Sequence, residues 1–263
     1  MECRSIDMVD SVEEQWDANA EAFAELISDQ GTPHHQQILN PCVQSLLGEV
    51  AGKELLDAGC GEGYLSRHYA RLGAHVTGID SSKKLVELAS NKTPQQLDIT
   101  YAIGNICSLD SLADGSFDIV LCNLVLLNVA CMREAIYEFK RVLRSGGVLV
   151  FSVVHPAFDF YGPGSWEMGE RNPTTNRRKG LFFKVDDYSA EKPYERYWRT
   201  RDGEKFPQPI TFYHRTVSSY IAALIEAGLT IKAVEEPLPK TDDEFFERER
   251  RVPFFMVFKA CKP

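Results

Sequence analysis

The sequence predicts a doubly wound α/β fold: a mostly parallel, seven-stranded sheet with an inserted segment. Three observations predict it. From Glu54 onward, short apolar runs alternate with helical periodicities, the rhythm of successive β–α units with right-handed crossovers. One run, VLVFSVV at 148–154, is apolar and β-branched almost throughout, as in a strand buried on both faces. A glycine-rich turn, DAGCGEG at 57–63, separates the first strand from the next helix, at the strand end where open α/β sheets bind ligands.

Each element follows from local pattern. Ser11 and Glu14 form a possible capping box, and Trp16, Ala20, Phe23 and Ile27 recur at helical spacing, predicting a helix over 12–27. A second helical stretch follows Pro33 and reaches Leu47, with an interruption expected at Pro41. ELLD is a strand; YLSRHYARL is a helix ended by Gly73. AHVTGID is a strand closing at Asp80, and Ser81 or Ser82 caps the helix KKLVELASN. DITYAIG and FDIVLCN are strands three and four. MREAIYEFKRVL is a helix ended by RSGG, before the fifth strand. TVSSYIAALIEAGL is an amphipathic helix, and TIKAVEE and PFFMVFKAC are the last two strands.

Residues from His155 to Phe212 break the rhythm. The segment is too long for a bare connection and rich in aromatic residues, which predicts a lid rather than a linker. The expected organisation is a helical cover over 1–50, a ligand-binding core over 51–155 and 213–263, and a lid over 156–212.

Composition narrows the function. The 263 residues are 44% hydrophobic with a formal net charge of −9, a balance that counts against a nucleic-acid substrate. No apolar run approaches the ~20 residues that span a bilayer, and the N-terminus lacks a signal-peptide core, so a cytoplasmic protein with no membrane partner is expected. The seven cysteines are scattered, with no CxxC pair. Neither a disulfide frame nor a metal site is indicated, and small buried apolar roles are expected for most of them.

Three glycines on alternate positions allow a ligand to lie against bare main chain, though a plain tight turn reads the same. Asp80 ends the next strand at the spacing where an acid meets ribose hydroxyls. Together these point to an adenosine-type cofactor. The details disagree with NAD. The spacing is G-x-G-x-G rather than G-x-G-x-x-G, and Asp57 would repel a pyrophosphate while attracting an ammonium or sulfonium.

The segments LLDAGCGEGYLSRHYARLGAHVTGIDSS, DSLADGSFDIVLCNLVLLNV and VLRSGGVLVFSVVHP, in this order, resemble the class I S-adenosylmethionine-dependent methyltransferases. The resemblance covers about Lys53 to Val154, and the last helix and two strands fit the family's final hairpin. It implies a Rossmann-like fold, S-adenosylmethionine as cofactor, and direct attack by an acceptor atom on the methyl carbon. By position it implies that Asp57, Gly59 and Gly61 contact the methionine end, with Cys60 and Gly63 in the same turn. It places Asp80 at the ribose with Ser81 beside it, Asn105 and Ile106 at adenine, and Asn123 and Leu124 beside the sulfonium.

A general base is needed only if the acceptor holds a proton it must lose. His155, after the fifth strand, and His214, before the last helix, are the catalytic candidates; the alternative is that each holds loop backbone. Trp16, Phe158, Tyr161, Trp166, Tyr213 and Arg215 are the substrate-binding candidates, with packing of a small satellite core as the alternative for the aromatics. The basic cluster at 177–179 reads as a solvated turn, with attraction of an acidic substrate as the alternative, and His34 and His35 read as surface or loop residues, with lining of the N-terminal cover as the alternative. The expected function is methyl transfer to a small-molecule O or N acceptor. Methylation of a modified tRNA or a protein-bound group, or a cofactor-binding regulator without transfer, are the alternatives. Oligomeric state is open.

Overall fold

The computed structural model describes residues 10–160, 162–174, 176 and 178–263. Tyr161 and Arg177 therefore lie outside the described residues, as does the Ser11 side chain expected to cap the first helix. Helix α1 spans Asp10–Ile27 and α2 Asn40–Leu47. A π-helical turn, His35–Leu39, runs straight into α2. Pro41 sits in the first turn of α2, where its missing N–H costs nothing, so it marks a start rather than an interruption.

The strands are β1 (Glu54–Ala58), β2 (His75–Asp80), β3 (Ile99–Ile103), β4 (Phe117–Asn123), β5 (Leu143–Val154), β6 (Gly164–Arg171), β7 (Arg178–Val185), β8 (Pro193–Arg196), β9 (Ile210–Tyr213), β10 (Thr230–Glu235) and β11 (Phe255–Cys261). The remaining helices are α3 (Tyr64–Arg71), α4 (Lys83–Lys92), α5 (Met132–Val142) and α6 (Val217–Glu226). Ser82, not Ser81, caps α4, its hydroxyl accepting the Leu85 N–H at 3.2 Å. The RSGG stretch does not form a separate turn; β5 begins directly after α5 and includes it.

Seven strands form one sheet in the order β10-β11-β5-β4-β1-β2-β3. β1 through β5 pair in parallel, and β11 runs antiparallel to both β5 and β10. Strand order reverses at β1 and β4, which opens a crevice beyond their carboxyl ends. Alternate residues of β5 explain its apolar run. Leu149, Phe151 and Val153 face a core shared with α5 and α6, including Ile136, Phe139, Tyr220 and Leu224. Val150 faces the opposite core with Val43, Leu47, Leu65 and Tyr69. Phe151 and Phe258 stack at 4.7 Å across β5 and β11. Such a buried Phe is worth about 3–5 kcal/mol against Ala.

The segment after β5 forms two hairpins, β6–β7 and β8–β9, outside the main sheet. Helix α1 ties it to the crevice. Asn19 and Gln208 exchange two hydrogen bonds, of 3.1 and 2.9 Å. Gln15 accepts from the backbone and hydroxyl of Thr211 on β9. On the other side of α1, Asp17 accepts from the Ser82 hydroxyl and the Lys84 N–H at the start of α4. No described helix is long and apolar enough to cross a membrane.

Candidate active site

A cavity of about 710 Å³ opens at the carboxyl ends of β1, β2, β4 and β5, within the size range of small-molecule sites. Its floor is the turn after β1. The Gly59 and Cys60 N–H groups both donate to Ile79 O, which pins this turn to β2. Gly59 has φ +80°, and a Cβ there would lie 2.4 Å from Val125. Gly61, at φ +56°, presents bare main chain toward Phe23. Gly63 has a different task. It caps α3 at φ +83° with Tyr101 packed against it, and it does not line the cavity. Close packing of helix to sheet thus falls to the third glycine here as well, one position earlier than in a dinucleotide turn.

The walls of the turn are acidic. Asp80 accepts the Gly61 N–H on Oδ2 and the Ser82 N–H on Oδ1, both at 2.9 Å. Burial raises its pKa, against the opposing pull of those two hydrogen bonds. Asp57 is buried beneath the turn and accepts the Ser66 hydroxyl at 2.5 Å. Burial, helped by the nearby Asp80 charge, pushes its pKa up to about 6 despite that hydrogen bond. Glu62, between the second and third glycines of the turn, also lines the cavity. Its Oε2 accepts from Arg67 at 2.8 Å and Lys92 at 3.0 Å. Its Oε1 is buried and has no hydrogen-bond partner among the described residues.

Bare backbone that a Cβ would fill, three carboxylates and one orphaned buried oxygen fit S-adenosylmethionine, which is cationic at its ammonium and sulfonium. The same set does not fit a diphosphate.

Ser81, Asn105, Ile106, Asn123 and Leu124 line the same cavity, as does Cys60. Asn123 Oδ1 accepts the Ser152 hydroxyl at 2.8 Å, and that hydroxyl accepts the Leu124 N–H at 3.1 Å. Leu124 stands at φ +58°, a costly conformation for a non-glycine residue, held at the tip of β4.

Trp16 and Tyr213 reach the cavity. Phe158 and Trp166 do not line it; they pack against Phe183 in a separate aromatic cluster, with the Arg251 guanidinium 4.9 Å from the Trp166 ring. Arg215 is also outside. It donates to the carbonyls of Leu126, Val129 and Ala130, and so holds the loop that forms one cavity wall. Neither catalytic candidate lines the cavity. His155 Nε2 meets Glu236 at 2.8 Å, and its Nδ1 accepts the Ala157 N–H. His214 Nε2 donates to Tyr188 O at 2.8 Å.

Two further features were not expected. Cys107 and Cys131 form a disulfide joining the segment after Asn105 to the loop after β4, and Cys131 lines the cavity. The expectation of no disulfide is corrected here: the partners lie 24 residues apart, and only the fold brings them together. The cavity is also lined by His34, His35, Arg248, Glu249, Phe160 and Phe254. His34 and His35 thus line the cavity, the second of the two readings the sequence left open. His35 is buried with Nδ1 at 2.7 Å from the Thr32 hydroxyl; burial, with the His34 charge adding to it, lowers its pKa to about 4.

Comparison with known proteins agrees with this geometry. Residues 56–151 match a family model described as a methyltransferase domain. An uncharacterized protein of Haemophilus influenzae is 29% identical over 86% of this chain and 87% of its own. A ubiquinone biosynthesis O-methyltransferase of Coxiella burnetii is 38% identical over 43% of this chain, and the match spans about half of that enzyme, 48% of its length. A crystal structure of a putative S-adenosylmethionine-dependent methyltransferase from Listeria monocytogenes superposes with a TM-score of 0.69 at 28% identity, covering 85% of this chain and 97% of that one. The motif order, the acidic glycine turn and these likenesses converge on one conclusion: residues 56–151 form a methyltransferase domain, and the chain is similar to S-adenosylmethionine-dependent methyltransferases.

Proposed function

We propose that this enzyme methylates a small-molecule acceptor at an oxygen or nitrogen atom. The observation that carries the reading is the continuity of the cavity. One space runs from the acidic glycine turn to a chamber of aromatic and polar side chains. A methyl donor held at one end would meet an acceptor held at the other. The O-methyltransferase name of the Coxiella burnetii relative supports an acceptor of this kind.

When bound, S-adenosylmethionine supplies a methyl already activated for transfer. The chain supplies binding, alignment and exclusion of water. In this reading Asp80 accepts from the ribose hydroxyls through the lone pairs its two backbone hydrogen bonds leave. Asp57, Glu62 and the bare backbone at Gly59 and Gly61 receive the methionine end. Asn105 and Ile106 flank adenine, and Asn123 and Leu124 border the sulfonium. Residues 1–50 and 156–212 act as cover and lid, with α1 tied to the lid through Gln15 and Asn19 and to the core through Asp17.

The experiment is transfer of labelled methyl from S-adenosylmethionine to the small-metabolite fraction of a cell extract. Label in a low-mass product supports the reading. Label found only in RNA or protein would replace the acceptor class, and tight cofactor binding with no transfer to any fraction would favour a regulator.

A further inference from the structure

His34 and Glu249 lie 215 residues apart in sequence and meet in the wall of the cavity, with Nε2 to Oε1 at 3.1 Å. Both line the cavity. Glu249 is only 8% exposed, and its second oxygen, Oε2, is buried without a hydrogen-bond partner among the described residues. A buried carboxylate left half satisfied is costly, so the arrangement calls for a function. The His34 ring is held on three sides by Phe245, Phe246 and Phe254, with ring centroids 5.4–5.5 Å away. Packing and carboxylate together fix its orientation. The segment bearing Glu249 leads into β11, whose first residue, Phe255, pairs with Val154 at the carboxyl end of β5. The pair therefore stands over the strand ends where a methyl would be delivered.

A carboxylate on Nε2 holds the proton there and leaves Nδ1 as the basic atom. No described residue hydrogen-bonds His34 Nδ1. We propose that His34, oriented and charge-stabilised by Glu249, is the general base that removes the proton from the acceptor's hydroxyl or amine. This rests on the small-acceptor reading above and names its base. The acceptor O–H or N–H proton passes to Nδ1, and the bonding pair stays on the acceptor atom. That atom forms the new bond to the methyl carbon, and the carbon–sulfur pair remains on sulfur. The imidazolium then carries one positive charge against the Glu249 carboxylate. The other charged or titratable groups around it are Arg248, next to Glu249, and His35, next to His34 and engaged with Thr32.

The test uses the full-length protein with ¹⁵N-labelled histidine, the His34 signals being assigned by their loss in His34→Gln. The expected ring is the Nε2–H tautomer at pH 8, with that preference lost in Glu249→Gln. An Nδ1–H ring, or a tautomer unchanged in Glu249→Gln, overturns the proposal. This readout needs neither cofactor nor acceptor. The second arm follows methylation of 4-nitrocatechol and of the extract across pH 5–9. His34→Gln is expected to lower turnover roughly 100-fold or more and to remove the acid limb of the profile, with melting temperature and S-adenosylmethionine affinity near those of the parent. A parent-like pH profile in a folded His34→Gln protein overturns the proposal. If the parent transfers no methyl to any small molecule, the small-acceptor reading fails, and the dyad is judged by its spectrum alone.

Discussion

The Asp80 carboxylate accepts the Gly61 N–H at 2.9 Å, so the acid at the tip of β2 holds in place the bare backbone after β1. One side chain thus shapes both walls of the candidate cofactor site. The space over Gly61 is what the arrangement protects. Gly61→Val adds a β-branched side chain at φ +56°, with Phe23 3.3 Å from the new Cβ. The expected result is loss of S-adenosylmethionine binding by about 100-fold or more in a protein whose circular dichroism matches the parent. Parent-like affinity in the folded variant would contradict the placement of the cofactor on this turn.

Asp57 links cofactor affinity to pH. Its pKa in the free protein is raised to about 6, and a bound cation favours its ionised form. Below pH 6, binding must therefore expel a proton. Affinity for S-adenosylmethionine is expected to fall about tenfold per unit as pH drops below 6, and to stay flat in Asp57→Asn. The stability sign is the opposite. A carboxyl whose folded pKa is raised contributes stability below its unfolded value of about 3.9 and loses it as pH rises through about 6. Asp57→Asn should thus stabilise the free protein at pH 7, by about 1–3 kcal/mol. Calorimetric titrations and melts at pH 5 and pH 7 check both.

The Cys107–Cys131 disulfide closes a loop of sequence separation 24 across one wall of the cavity. Its removal is expected to cost about 3 kcal/mol. Cys107→Ser with Cys131→Ser should melt lower than the parent and be indifferent to reductant, while the parent should shift toward it when reduced. A parent melt unaffected by reductant would show that the bridge contributes nothing.

His214 and Arg215 brace the cavity from outside. His214 donates to Tyr188 O, and Arg215 to three carbonyls of the 126–130 loop. Hydrogen bonds from a charged donor are worth about 1.5–3 kcal/mol each. Arg215→Met should lower the melting temperature and reduce turnover. His214→Gln should affect stability and leave the shape of the pH–rate profile intact. A lost limb in that profile would return His214 to the chemistry.

Much of the sheet was legible because the parallel strands are short apolar runs between helical periods. The glycine turn was legible because local backbone geometry dictates its residues. Asp57 and Asp80 could be found for the same reason, lying within and just beyond those strands. The His34–Glu249 contact could not. His34 opens the helical stretch that runs into α2 and Glu249 lies in the charged segment before β11, and only the tertiary fold brings them together. Phe158 and Trp166 fit a pocket by composition, but composition does not say which face of a hairpin an aromatic takes. The Cys107–Cys131 pair shows the same limit: its contact is a property of the topology, not of spacing.

Asp80→Ala, titrated with S-adenosylmethionine by calorimetry beside the parent, is the most direct test of the site. The variant removes the acceptor for the ribose hydroxyls and the anchor of Gly61 together. The parent should bind, and the folded variant should bind about 10–100-fold more weakly, the loss of one or two charge-assisted hydrogen bonds. Equal affinity in the two proteins would mean that the cofactor does not lie against this acid and this turn.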